Sequence, residues 1–120
     1  MNQSVKQALA TDKTIDITTT GKHSGLLRRT EIWFKYIKER VFITGTPGPR
    51  DWYANLVAHP DFTFHIKEST KIDLKARAYP VIEPEERHRI MSAPETEWYR
   101  NQATMENLIS ASPMVEVLFD

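Results

Sequence analysis

The 120-residue sequence contains no cysteine. That absence excludes disulfide bridges, thiolate zinc sites and a cysteine nucleophile, and it agrees with an intracellular setting. The sequence also lacks an excess of charge of either sign: sixteen basic residues balance sixteen acidic ones. A general nucleic-acid surface is usually net basic, so that class of function loses its main support. No apolar run reaches the roughly 18 residues of a membrane span. The opening Met1-Asn2-Gln3-Ser4-Val5-Lys6 has no apolar signal core. The expectation is a soluble, cytoplasmic protein without a membrane span and without nucleic acid as a partner. At this length residues 1–120 make one domain, large enough to bury a core without covalent staples.

Metal and hydrolytic chemistry are also poorly provided for. The four histidines, His23, His59, His65 and His88, show no ligand spacing that puts two on one helix face, so no metal site is expected. Ser24 sits in His-Ser-Gly without the Gly-x-Ser-x-Gly elbow of a serine hydrolase. Glu85 and Glu86 read as partners of a helix dipole rather than as an acid/base pair. With no self-sufficient catalytic group in view, chemistry carried by a cofactor is favoured.

The pattern along the chain is that of short strands with helical additions. Ser4–Ala10 reads as a short helix with Val5, Ala8 and Leu9 on one side. Strands are expected at 15–19, 30–37 and 41–44, with Lys38-Glu39-Arg40 as a hairpin turn. Alternation predicts two half-buried strands further on. In 62–67, Phe62, Phe64 and Ile66 oppose Thr63, His65 and Lys67; in 71–78, Ile72, Leu74, Ala76 and Ala78 oppose a solvated face of Asp73, Lys75 and Arg77. Asp51 reads as the N-cap of a helix over 52–59 that Pro60 ends. A helix beginning near Glu83, a second helical stretch over 95–109 and a closing strand at 114–119 complete the series. About six antiparallel strands with two or three short helices imply an α+β fold of mainly β character, a small barrel with helical additions.

Two loops stand out. In Thr20-Gly21-Lys22-His23-Ser24-Gly25-Leu26-Leu27-Arg28-Arg29, two glycines let the backbone come close to a ligand, and Lys22, Arg28 and Arg29 supply permanent positive charge. That combination suits a phosphate. Gly45-Thr46-Pro47-Gly48-Pro49-Arg50 stops all regular structure and feeds a helix start, where free N–H groups attract anions and polar ring edges. Trp52 and Tyr53 beside it could wall a ring-binding cleft or pack into the barrel.

Taken together, Thr18-Thr19-Thr20-Gly21-Lys22-His23-Ser24-Gly25, Arg28-Arg29-Thr30, Gly45-Thr46-Pro47-Gly48 and Asp51-Trp52-Tyr53-Ala54-Asn55-Leu56-Val57-Ala58-His59-Pro60 resemble the deazaflavin (F420)-dependent nitroreductase family. The resemblance spans residues 15–67 and the strand at 113–118. It implies a split β-barrel of the flavin-mononucleotide (FMN)-binding superfamily, a homodimer in many members, with F420 or, alternatively, FMN in a groove. By the same resemblance, Lys22, His23, Ser24, Gly25, Arg28 and Arg29 would hold the phosphate and tail. Thr44, Gly45, Thr46, Gly48, Trp52 and Asn55 would flank the ring, and Tyr53 would be the catalytic proton donor or a substrate wall. The implied activity is that of an oxidoreductase, passing hydride to an electron-poor small molecule such as a quinone or nitro compound. The competing reading is a non-catalytic module that binds a flavin, F420 or a partner. The apolar strands around Trp33, Phe34 and Phe42 also look in need of cover, which points to a two-fold homodimer.

Overall fold

The computed structural model describes residues 1–120 as one curled antiparallel sheet with helices packed on it. Helix α1 (Gln3–Thr11) comes first, capped by the Asn2 side chain, which accepts from the Val5 N–H at 2.9 Å. Strands β1 (Thr14–Thr20) and β2 (Leu27–Trp33) form a hairpin, and β3 (Lys35–Ile37) and β4 (Arg40–Thr44) form another. Helix α2 (Asp51–Ala58) leads to β5 (Asp61–Ile66) and β6 (Ile72–Pro80). Three helices then follow: α3 (Pro84–Met91), the short α4 (Glu97–Arg100) behind a 3₁₀ turn at Pro94–Thr96, and α5 (Met105–Ala111). Strand β7 (Met114–Phe119) closes the chain between β6 and β4.

The sheet order is β2-β1-β5-β6-β7-β4-β3, so the two chain-adjacent strands β2 and β3 end up at opposite edges. A sheet that returns to its own start in this way is a half-barrel, as the mix of short strands and helices implies. It has seven strands where the sequence suggests six. The extra one arises at Phe34, which leaves the strand, donates its N–H to Lys13 O at 3.2 Å and buries its ring edge-on against Phe64 at 5.8 Å. The expected strand 30–37 is thereby split into β2 and β3. The expected helical stretch 95–109 is likewise cut into a 3₁₀ turn, α4 and α5. Arg100 turns back to the carbonyls of Met91 and Ala93, and Thr104 caps a new start. Asp51 lies in the first turn of α2 rather than capping it.

Alternation sorts the sheet into an apolar inner face and a charged outer one. Inside, Ile15, Ile17, Phe64, Ile43 and Val115 are fully covered together with Val5 and Leu9 of α1 and Leu56 of α2. Phe42 joins a second cluster with Met91, Leu108 and Met114 beneath α3–α5. Phe34 and Phe42 are therefore covered within the chain, and the reason the sequence offered for a second subunit does not hold for those two residues. Outside, Asp16 on β1 lies against Arg29 of β2 at 2.9 Å and Lys67 at 2.7 Å, and Lys67 also reaches Glu31. The outer face carries a second polar chain: Asp73, His65 Nδ1 at 2.7 Å and, from His65 Nε2, the Thr18 hydroxyl at 2.6 Å. Sequence alternation puts His65 on this face, but its neighbours bury it.

The second cluster is bordered by a buried arginine. Arg87 of α3 donates Nε to Ile109 O at 2.5 Å, Nη1 to Val81 O at 2.8 Å, and Nη2 to Ser112 O at 2.5 Å and Leu108 O at 3.4 Å. It caps the C-terminus of α5, whose last carbonyls have no helical partner. Arg87→Ala would strand those carbonyls in a dry interior, where hydrogen bonds to a charged group are worth about 1.5–3 kcal/mol each relative to loss. The expected outcome is destabilisation of about 3 kcal/mol or more, read by urea titration. A change below about 1 kcal/mol would show that α5 is held otherwise.

Ion pairing on the outer face generates a pH signature. Lys67 first, and then Arg29, hold the Asp16 carboxyl below its ordinary value against the opposing effect of burial. A carboxylate whose folded value is depressed stabilises the fold above its unfolded value, near pH 4, and that stability is lost as pH falls through the folded value. Asp16→Asn should therefore cost about 1 kcal/mol at pH 7. The gap should narrow steadily below about pH 4. Melting curves across that range check it, and a gap independent of pH would contradict the assignment.

Candidate functional site

The β1–β2 hairpin tip is built by its glycines and by α2. Gly21 N–H donates to Leu26 O at 2.8 Å and Gly25 N–H to Gly21 O at 3.0 Å. Gly25 adopts φ +71°, a left-handed value that disfavours side chains. Ser24 Oγ accepts from Leu26 N–H at 3.1 Å, so this hydroxyl shapes the turn. The tip is fastened to α2 by Asn55, whose side-chain oxygen accepts from Lys22 N–H at 2.8 Å. Lys22, His23 and Arg28 have no carboxylate partner anywhere in the chain, whereas Arg29 is paired with Asp16.

The two arginines face opposite sides of the sheet. Arg28 is aligned with Thr19, which is buried on the inner face, and Arg29 with Thr18 on the outer one. The inner row of β2 runs Arg28, Thr30, Ile32. It ends at a cleft of about 350 Å³ walled by Ile32, Trp33, Thr44–Thr46, Trp52, Trp98 and Tyr99. Trp33 and Trp98 lie 6.3 Å apart between ring centroids, and the Lys35 ammonium sits 5.2 Å from the Trp33 ring. Burial, and then Lys13, push Lys35 below its ordinary value. Thr44 itself is buried, its hydroxyl donating to Pro113 O at 2.7 Å.

The loop after β4 is braced from within. Arg50 donates to Thr46 Oγ1 at 2.8 Å, Thr46 O at 3.2 Å and Gly48 O at 3.1 Å, so its positive charge serves the loop itself. Gly48 N–H is spent on Ala111 O at 3.0 Å and cannot turn to a ring edge. Gly48 and Tyr53 line a second, larger cleft of about 740 Å³ on the other side of the loop, floored by Arg87. The structure thus brings Thr44, Gly45, Thr46 and Trp52 together in one cleft. It puts Lys22, His23, Ser24, Gly25, Arg28 and Asn55 at the far end of the same strand, Arg29 on the outer face, and Gly48 and Tyr53 in the neighbouring cleft.

Sequence reasoning missed Trp33, Trp98 and Tyr99 as walls of the first cleft, because they come from a strand edge and from a helix far along the chain. No local pattern joins them. Arg50 carried a signal, a cation directly behind a Gly/Pro loop, but its partners were not legible.

With this geometry in hand, the comparisons decide the family. The family model described as F420H(2)-dependent quinone reductase matches residues 2–117. The chain belongs to the F420H(2)-dependent quinone reductase family. No curated protein matches it. Among solved structures it is similar to a conserved hypothetical protein from Mycobacterium tuberculosis, with 16% identity, TM-score 0.73, and 99% of this chain and 81% of that one covered. It is also similar to an F420 reductase, with 13% identity, TM-score 0.72, and 100% and 96% covered. A heme storage protein from Vibrio cholerae is similar as well, with 14% identity, TM-score 0.66, and 98% and 87% covered. At these identities the likeness shows the half-barrel fold and no more.

One test concerns the shared loop. Gly48 has φ +124°, a conformation that side chains rarely adopt, and a Cβ there would stand 3.4 Å from Arg50 Nη1. Gly48→Ala should cost about 1–3 kcal/mol, lowering Tm by about 4 °C or more. An unchanged Tm in a thermal melt would mean that the loop is not held in this shape.

Proposed function

We propose that this member of the family is a cytoplasmic reductase that holds F420 along the inner row of β2 and passes hydride to an electron-poor acceptor such as a quinone or nitro compound. One observation carries the reading. Uncommitted cations, Lys22 and Arg28, lie at one end of a strand whose other end opens into an aromatic-walled cleft. Six residues of strand at about 3.3 Å each separate the two ends by roughly 20 Å. That span suits a ring with a phosphorylated tail. The donor set fits such a group: cations and turn N–H groups for an anion, and flat aromatic side chains for a ring.

Each residue then has a defined task. Lys22 and Arg28 bind the anionic tail, with Gly25 and Ser24 shaping the turn and His23 at its rim. Asn55 holds the turn against α2, so the tail site is formed before the ligand arrives. Trp52 stands beside the ring, while Thr44, Gly45 and Thr46 give it a smooth backbone wall. Thr44 is a structural member whose hydroxyl fixes the strand end. Trp33, Trp98 and Tyr99 keep water from the open side of the cleft. When bound, the deazaflavin supplies the hydride; the protein contributes position and a dry, charge-tuned setting. Tyr53 and Gly48 face the neighbouring cleft, and Arg29 stays with Asp16, so none of the three is needed to hold the ring. FMN is the second cofactor this cation-and-aromatic arrangement would accept. A homodimer through the unpaired β2 edge, with Leu26 and Leu27 exposed beside it, would cover the groove from outside.

Titration of the purified chain with F420 and with FMN, followed by oxidation of the reduced form with an added quinone, tests the reading. Arg28→Ala should weaken cofactor binding about tenfold, the loss of one charge-assisted hydrogen bond, while Arg29→Ala changes it less than about twofold. Equal effects, or turnover without either cofactor, would overturn the assignment.

A further inference from the structure

The second cleft, on the far side of the Gly45–Arg50 loop, has features that its role as packing between helices does not explain. Its volume of about 740 Å³ falls within the range of small-molecule sites. Its walls are mostly apolar, from Pro49, Val81, Ile82, Ile109 and Pro113. Ile82 stands at its mouth with 73% of its surface exposed, a large aliphatic side chain left in water with nothing covering it. A wet isoleucine on the rim of an apolar cleft is the mark of a surface that something else completes.

Polarity inside the cleft has one sign. Arg87 is buried with no carboxylate in contact, and the groups it touches are neutral carbonyls. The C-terminal dipole of α5 offsets only part of a full positive charge. Three hydroxyl side chains, Tyr53, Ser110 and Ser112, line the same cleft. Ser112 is 4% exposed, and its Oγ is buried without a hydrogen bond. An orphaned buried hydroxyl in a folded protein calls for an explanation. Here a hydrogen-bond acceptor supplied from outside would satisfy it.

We propose that this cleft is a second small-molecule site, separate from the aromatic cleft, that takes an apolar molecule bearing a carboxylate. The apolar body lies on Ile82, Val81 and the prolines. The carboxylate accepts from Ser112 Oγ and Tyr53 Oη and sits in the field of Arg87. Four of the five guanidinium N–H donors are already committed to carbonyls, so Arg87 acts mainly through its charge. A neutral ligand of the same shape would fill the walls but gain nothing from that charge. A cation would be rejected.

The experiment is calorimetric titration of the full chain with 2-naphthoate and with its uncharged isostere 2-naphthamide. Arg87 is left in place because the fold depends on it. The expected result is that naphthoate binds about tenfold or more tightly than the amide. Ile82→Glu, at an exposed position, should weaken naphthoate about fivefold or more by repulsion at the mouth and leave Tm unchanged. Ser112→Ala should weaken naphthoate about fivefold without lowering Tm, since it removes a hydroxyl that has no partner in the fold. F420 affinity should be the same in both variants, because neither residue lines the aromatic cleft. Equal affinity for acid and amide, no binding of either, or indifference to both substitutions would overturn the proposal. So would naphthoate binding that Arg28→Ala abolishes and Ile82→Glu leaves intact, which would put the ligand in the other site.

Discussion

The Arg87 guanidinium is the contact on which the helical cover of the sheet depends. It sits where the sheet gives way to the helical cover, and its four carbonyl partners come from the β6–α3 connection, from α5 and from the turn into β7. Each of those segments is short, and none could hold its place by local propensity. An eight-residue helix or a seven-residue one is marginal alone. Burying a cation to hold them is costly, and burial pushes Arg87 below its ordinary value. The arrangement persists because the end of α5 presents several unpaired carbonyls at one spot, and a planar five-donor group meets more of them at once than any other side chain could.

From that junction the placement of both clefts follows. β7 enters the sheet at Met114, directly after Ser112 and Pro113, and pairs with β4 so that Thr44 comes opposite Met114. The loop leaving β4 must then cross the end of α5, which it does by giving Gly48 N–H to Ala111 O. A loop pinned at that point and braced by Arg50 becomes a partition. The aromatic cleft lies on one side with Trp52, the charged one on the other with Tyr53. Adjacent residues on α2 thus serve different cavities, with their rings edge-on at 6.0 Å.

Much of this was legible in the sequence where a local rule applied. Alternation located β5 and β6 to within a residue or two, the Gly/Pro loop and Pro60 bounded α2, and the outer polar face came out as expected. The failures share a cause. Phe34 left its strand because a phenyl ring gains more from Phe64 than an edge strand gains from one more ladder residue. The helical stretch after Pro94 broke where Arg100 reaches the carbonyls of Met91, at the end of α3, and of Ala93. Arg87 looked like one cation among several at a helix end. In each case a long-range partner overrode the local preference, and nothing in a short window of sequence names that partner. The same limit separated Arg28 from Arg29: strand period puts neighbours on opposite faces, but which face is inner depends on the register with β1.

Zero net charge hides a division of labour that bears on function. The outer face spends its charges on one another, in Arg29–Asp16–Lys67–Glu31 and in Arg77–Asp61. Near the helices, Arg40 bridges Glu86 and Glu116. Cations without a carboxylate partner include Lys6, Lys13, Lys38, Lys71 and Lys75, which are spread over the exposed surface. Lys22, His23 and Arg28 stand together at the hairpin tip, and Arg87 stands alone under the second cleft. What sets the hairpin-tip cations and Arg87 apart from the solvated lysines is their place, at the end of an aromatic groove and beside an apolar pocket, where an anionic group on an otherwise apolar molecule would be weakly hydrated and strongly held.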